Sequence, residues 1–75
     1  MARYRVEHLT ERQERIVRYI RECIADTGEA PTVVEIGEHV GLSSRSAVHY
    51  QLRQCEQKGA IVVEPRRARG IRLAR

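Results

Sequence analysis

Polar and basic side chains in the second half of this 75-residue sequence recur at spacings that suit recognition of a charged, hydrogen-bonding partner. One face of a helix would carry Ser46, His49, Tyr50, Arg53 and Gln57. A short basic run further along contains Arg66, Arg67 and Arg69. Hydroxyl, imidazole and guanidinium groups hydrogen-bond to base edges, and guanidinium groups bind phosphates with two parallel donors. These residue types therefore indicate a binding function rather than catalysis.

The cysteines and histidines do not have the spacing of a metal site. The paired C-x₂₋₄-C or H-x₃₋₅-H pattern is missing from Cys23, His39, His49 and Cys55. No nucleophile, base and orienting group can be assembled from the sequence, and no glycine-rich loop could cradle a phosphate. We therefore expect no metal, cofactor, small-molecule substrate or enzymatic activity. Both cysteines are predicted to be small core residues.

Two helices are predicted ahead of this polar face. Residues 10–13 and 32–35 are capping boxes, in which a Thr side chain accepts from an amide and a Gln or Glu reaches back. Gly28 and Gly41 are predicted to end these helices. The apolar stripes along them are Ile16, Val17, Ile20, Cys23 and Ile24 in the first and Val33, Ile36 and Val40 in the second.

The third helix is predicted over residues 44–57. Ser43 or Ser44 can cap its start, and Lys58-Gly59 closes its end. Its inward stripe is Val48, Leu52 and Cys55. The tight connection from Gly41 leaves this helix packed against its predecessor.

A β-hairpin is predicted after the third helix. Ile61-Val62-Val63 is a β-branched run, and Ile71-Arg72-Leu73 alternates apolar and polar residues. The chain carries nine Lys and Arg against ten Asp and Glu as far as Glu64, whereas residues 65–75 carry five arginines and no acid. The positive charge is therefore concentrated in the hairpin.

Length and composition predict one small folded domain, residues 10–75, behind an N-terminal arm, residues 1–9. The net charge is +4 and the pI about 9.7, which favours polyanionic partners. The sequence lacks a run of about 18 apolar residues that could span a membrane, and its first nine residues lack the apolar core of a signal peptide. We expect a cytoplasmic, nucleoid-associated protein without a membrane partner.

Two short helices joined by a tight turn, a longer helix before them and a basic hairpin after them describe a mainly α winged helix-turn-helix. Such a fold binds double-stranded DNA by placing its recognition helix in the major groove. It needs an apolar inner face, a polar outer face and cations for phosphates, and this sequence supplies all three. Residues 44–57 are the predicted recognition helix.

Several motifs along the chain also resemble a known family. In chain order they are Leu9-Thr10-Glu11-Arg12-Gln13, Thr27-Gly28-Glu29-Ala30-Pro31-Thr32, Glu35-Ile36-Gly37, Val40-Gly41-Leu42-Ser43-Ser44, Lys58-Gly59 and Arg69-Gly70-Ile71. Together they resemble the N-terminal DNA-binding domain of LexA repressors, from about Leu9 to Leu73. The resemblance implies a bacterial SOS-response repressor that reads palindromic operators with GAAC/GTTC-like half-sites, as a homodimer on the DNA.

The resemblance also implies which residues contact bases. Those at the family's base-contacting positions are Ser44, Ser46, Ala47 and His49. Arg45 and Tyr50 depart from the family's common pattern and are candidates on chemistry. Arg45 could bond a guanine or clamp a phosphate, and Tyr50 could contact a thymine methyl or a phosphate. The alternatives are edge packing for Tyr50 and an exposed imidazole without a contact for His49.

Four arginines are the candidate phosphate contacts, because guanidinium groups displace the counterions of the DNA backbone. They are Arg53, Arg66, Arg67 and Arg69. The alternative for the last three is a flexible basic loop. Arg3 and Arg5 could add a basic N-terminal arm.

LexA repressors continue into a self-cleaving domain with a Ser/Lys dyad and the dimer interface, and nothing in this sequence corresponds to it. The only lysine is Lys58. The start at Met1 and the end at Arg75 without a linker favour a stand-alone protein, and the alternative is a piece of a longer repressor. The alternative function is a protein-interaction module that acts with a full-length repressor or another partner.

Overall fold

A computed structural model describes residues 8–74 of the chain. It contains helices α1 (Glu11–Thr27), α2 (Val33–Val40) and α3 (Arg45–Gln57), followed by strands β1 (Ile61–Val63) and β2 (Ile71–Leu73). This order confirms the predicted mainly α winged helix-turn-helix. Arg3 and Arg5 of the predicted N-terminal arm, and Arg75, lie outside the described residues.

Side-chain caps define where the helices begin. The Oγ1 of Thr10 accepts from the amide of Gln13 at 3.1 Å, and the Gln13 Oε1 accepts from the Thr10 amide at 3.1 Å. Thr32 and Glu35 repeat this exchange at 3.2 and 2.9 Å. Both predicted capping boxes are confirmed. The Oγ of Ser44 accepts from the Ala47 amide at 3.3 Å, so Ser44 rather than Ser43 caps α3.

The first two helices end at the glycines that the sequence predicted. Gly28 follows α1 and Gly41 follows α2, both in the left-handed region with φ of 81° and 79°. Lys58 caps the end of α3, as predicted. The turn from α2 to α3 is therefore only residues 41–44 long.

The core lies between the helices and the hairpin. Its buried side chains are Ile16, Val17, Ile20, Ala30, Ile36, Val40, Val48, Leu52, Cys55, Ala60, Ile61 and Ile71. Cys55 is fully buried, as predicted. The expectation for Cys23 was wrong, because this residue is only half-buried at the margin of α1 and lies outside the core cluster.

The two strands pair antiparallel, with Val62 opposite Arg72. This hairpin is also attached to the helical body. The Glu56 carboxylate near the end of α3 accepts from the Val63 amide at 3.2 Å. The predicted β-hairpin wing is confirmed, and a side chain of α3 holds its first strand.

Gly37 allows the close approach of α2 to the turn and to α3. A Cβ at this position would lie 2.8 Å from the Leu42 carbonyl oxygen and 3.1 Å from the Val48 Cγ2. The first distance is shorter than real Cβ atoms tolerate and involves backbone. The angle between the two helices therefore depends on the missing side chain.

Two general features follow from the described coordinates. Within residues 8–74, none of the helices has the length and apolar character needed to cross a membrane. The same residues contain no group of three His, Cys, Asp or Glu side chains that could hold a metal ion.

Replacing Gly37 by Ala tests the close packing of the helix-turn-helix. Helix propensity alone would make Gly37→Ala stabilising by about 1 kcal/mol. We expect the opposite, a loss of about 1–2 kcal/mol in the free energy of unfolding, because the added methyl group overpacks the turn. Urea unfolding measures this loss. Glu38→Ala, on the exposed side of the same helix, is the control and should change stability by less than about 0.5 kcal/mol. A stabilised Gly37→Ala protein would contradict this account.

Candidate nucleic-acid interface

The outer face of α3 presents a continuous polar surface. Four of the predicted site residues line one shallow depression on it: Ser46, His49, Tyr50 and Arg53. All four are exposed, and Tyr50 keeps 60% of its surface accessible. The helical spacing thus brings these side chains together as predicted. Their contact with bases stays a prediction.

The inner face of α3 anchors the helix. Val48, Leu52 and Cys55 are 2%, 3% and 0% exposed. Burial raises the pKa of the Cys55 thiol to about 11, although the nearby Lys58 lowers it slightly. Cys55 is therefore a neutral thiol at physiological pH and is suited to packing. The apolar stripe leaves α3 no freedom to rotate its polar face away from the surface.

The remaining predicted base contacts lie in the first turn of α3. The hydroxyl of Ser44 accepts the capping hydrogen bond and keeps its own hydrogen for a partner. Ala47 is half-buried, so only part of its methyl group is accessible. Arg45 is exposed but borders a different groove, between α2 and α3, together with Val34 and Glu38. The structure therefore separates Arg45 from the depression that the other side chains share.

A buried amide fixes α3 against α1. Gln13 is only 4% exposed, and its Nε2 donates to Gln51 Oε1 at 3.1 Å. Its Oε1 accepts from Lys58 Nζ at 2.7 Å in addition to its cap bond. The sequence indicated only the capping role of Gln13 and the terminating role of Lys58. Their contact spans 45 positions, for which the sequence carried no local signal.

The wing completes one side of a groove with α3. His49 and Arg53 line this groove from the helix, and Arg66 and Arg67 line it from the loop between the strands. Arg66 has a left-handed backbone, with φ of 70°. One predicted base-contacting residue, His49, therefore shares this groove with three predicted phosphate-contacting arginines. The fourth, Arg69, lines a different depression beside Glu29 and Ala30.

Acidic residues pair with much of the wing's positive charge. Glu64 contacts Arg67 at 3.3 Å and Arg72 at 3.0 Å. Arg69 contacts Glu35 at 3.1 Å. Within residues 8–74, Arg66 forms no ion pair. Counting charges along the sequence indicated a net charge of +5 for residues 65–75, but not which acidic residues pair with these arginines.

Arg69 differs from its neighbours because it folds back onto α2. Its Nη1 and Nη2 donate to the two carboxylate oxygens of Glu35 at 3.1 and 3.3 Å. Nη1 also donates to the Ala30 carbonyl at 2.9 Å. These bonds hold the pKa of the Glu35 carboxyl below its ordinary value, with Arg69 as the largest cause and the Thr32 amide next.

The Glu35 titration tests this contact in solution. We expect the Glu35 carboxyl to titrate below its ordinary pKa of 4.5 in the folded protein, measured by carbon NMR. Because the folded-state pKa is lowered, the stabilising contribution is present above 4.5 and is lost as pH falls through the lower value. Arg69→Gln should raise the Glu35 pKa, whereas Arg66→Gln should leave it unchanged. An identical titration in the wild-type and Arg69→Gln proteins would show that the pair does not form.

Known proteins match this chain in sequence. The family described as the LexA DNA binding domain matches residues 6–70. The chain is 46% identical over 65 residues to the LexA repressor of Brevibacillus brevis, which covers 87% of this chain and 31% of the relative. It is 45% identical over 65 residues to the LexA repressor of Alcanivorax borkumensis, and this match covers 87% of this chain and 32% of the relative. It is 44% identical over 70 residues to the LexA repressor of Azoarcus sp., and this match covers 93% of this chain and 35% of the relative.

The chain thus spans about a third of the length of these curated relatives. The segment matched by the family holds the three helices, β1 and the loop that follows it, and ends directly before β2. The resemblance inferred from the motifs is confirmed, and the chain belongs to the family of LexA DNA-binding domains.

Proposed function

We propose that this chain binds double-stranded DNA sequence-specifically and represses transcription, with α3 in the major groove and the wing on the phosphate backbone. The observation that carries the proposal is the exposed polar face of α3, which a buried apolar face holds in place beside a basic wing. Membership of the LexA DNA-binding domain family supports it. A repressor of this kind acts by occluding the operator, and we place it with the DNA of the nucleoid.

The proposed base contacts follow from the surface of α3. Ser46 and His49 offer hydroxyl and imidazole groups to base edges, and Ser44 and Ala47 lie at the start of the helix. Tyr50 is exposed enough to reach a thymine methyl or a phosphate. Arg45 borders the groove between α2 and α3, and its proposed contact is a guanine or a phosphate.

The proposed phosphate contacts are arginines on the groove between α3 and the wing. Arg53 lies on its helical side, and Arg66 and Arg67 on its loop side. Arg66 has its guanidinium unpaired among the described residues, so it needs to break no internal contact to reach a phosphate. Arg69 is also a candidate phosphate contact, but its bonds to Glu35 and Ala30 would have to be exchanged first.

Two copies on a palindromic site are part of this proposal. A single DNA-binding module buries only about 600–1,000 Å² of protein surface on DNA, which limits its affinity for one half-site. Relatives that are about three times as long are named LexA repressor, and we extend the GAAC/GTTC-like half-site of that family to this chain as its expected target.

Selection of bound duplexes from a random library tests the function directly. The purified 75-residue chain is incubated with the library, and the enriched duplex is then titrated at several salt concentrations. A palindromic winner with a steep salt dependence would establish operator binding. No enrichment, with helical content intact by circular dichroism, would contradict it and favour a module that acts through a protein partner.

The division of roles between helix and wing gives a second prediction. Ser46→Ala and His49→Ala should change the order of preference among duplexes, because they remove groups that contact base edges. Arg66→Gln should weaken binding to all duplexes alike and reduce the slope of log Kd against log salt by about one. Fluorescence anisotropy on the selected duplex and its single-base variants measures both effects. Similar behaviour of all three variants would show that this division is wrong.

A further inference from the structure

The strongest unexplained feature is the way the wing loop is tied to α2. Arg69 lies in the loop, two residues before β2, and all three of its guanidinium nitrogens are near protein oxygens. Two nitrogens form a bidentate pair with Glu35, and Nη1 also reaches the Ala30 carbonyl at 2.9 Å. The Nε lies 3.7 Å from Glu29 Oε1. Three of the five N–H donors of this guanidinium are therefore hydrogen-bonded to protein oxygens, and its two-pronged side is taken up by Glu35.

Glu35 has two roles at once. It is the third residue of α2, and its Oε1 accepts from the Thr32 amide at 2.9 Å as well as from Arg69 at 3.1 Å. The same carboxylate therefore fixes the start of α2 and binds the wing. Because α2 packs directly on α3, this contact links the loop end of the wing to α3 through α2, whereas the bond from the Val63 amide to Glu56 links β1 to α3 directly.

The exposure of the pair determines what it can do. The Arg69 and Glu35 side chains are 43% and 42% exposed, so solvent screens their attraction and the effect on global stability is small. The hydrophobic core holds the helices and strands without it. The loop between the strands is different, because its basic tip lies outside the core. The Glu64 amide donates to the Gly70 carbonyl at 2.8 Å and the Gly70 amide to the Arg67 carbonyl at 3.2 Å, and these bonds close the loop on itself without tying it to a helix. Loss of the pair should therefore loosen the wing without unfolding the domain.

We propose that Arg69 and Glu35 form a clamp that positions the wing, so that Arg69 is a positioning residue for DNA binding rather than a phosphate contact. This inference rests on the proposed function, because it concerns how the wing reaches DNA. It leaves Arg66 and Arg67 as the phosphate contacts of the wing, beside Arg53 of α3, because these three arginines line the groove next to α3 and Arg69 does not.

Glu35→Gln distinguishes a phosphate contact from a clamp, because the two roles of Arg69 predict opposite changes in DNA affinity. Gln at the third helical position still completes a capping box, so α2 keeps its start while the negative charge of the clamp is removed. If Arg69 contacts a phosphate, Glu35→Gln releases it and removes a negative charge, so DNA binding becomes tighter. If the clamp positions the wing, the same substitution weakens binding, by about fivefold.

The binding experiment uses the full 75-residue chain and the duplex enriched from the random library. Glu35→Gln and Arg69→Gln should each raise the Kd about fivefold, and the double variant should be no worse than either single variant, because both remove the same contact. Arg69→Lys keeps the charge but loses the two-pronged geometry, so it should resemble Arg69→Gln. A phosphate contact would instead be largely preserved by Lys.

Glu29→Gln is the matched control, since it removes the same charge from a carboxylate that makes only one long contact with Arg69. It should leave the Kd within about twofold of the wild-type value. Backbone ¹⁵N relaxation in the DNA-free protein supplies a second readout. Order parameters of residues 66–69 should fall below about 0.6 in Glu35→Gln and Arg69→Gln, while α1 to α3 stay rigid.

Any one of three results would overturn the clamp. Glu35→Gln could bind DNA more tightly, the effects of the two substitutions could add in the double variant, or the wing of Glu35→Gln could be as rigid as that of the wild type. A wild-type chain that binds no duplex would overturn the proposed function. The relaxation measurement would then still decide whether the clamp holds the wing, so the two failures are distinguishable.

Discussion

The packing of the inner face of α3 against α1 and α2 is the constraint on which the rest of the molecule depends. Val48, Leu52 and Cys55 are buried in the common core, and Gly37 lets α2 approach without a side chain between the helices. A domain of 75 residues has few such positions, so each of them contributes a large share of the core. The outer face of α3 owes its fixed orientation to this packing.

Polar contacts then refine the geometry that the apolar core establishes. The Gln13 side chain joins the start of α1 to Gln51 and Lys58 of the α3 region, in a site with little access to water. Because both polar atoms of this buried amide are hydrogen-bonded, it resists small rotations that apolar packing alone would permit. Glu56 extends the same control to β1, because it accepts from the Val63 amide.

The acidic residues around the wing decide which arginines are available to a polyanion. Glu64 pairs with Arg67 and Arg72, and Glu35 pairs with Arg69, while Arg66 stands without an ion pair among the described residues. Net charge therefore overstates the field at the loop. The exposed pairs are weak and can exchange with phosphates, except where bidentate geometry and a backbone carbonyl hold the guanidinium, as at Arg69.

The sequence by itself determined the elements and their order. The caps at Thr10 and Thr32, the stops at Gly28 and Gly41, the two strands and the polar face of α3 all follow from signals within a few residues of each other. Local signals cannot report contacts between distant segments. The bond from Arg69 to Glu35 spans 34 positions. The partial exposure of Cys23 depends on which part of α1 the other elements cover. Only the tertiary structure decided these features, because side chains far apart in sequence meet only once the helices have packed.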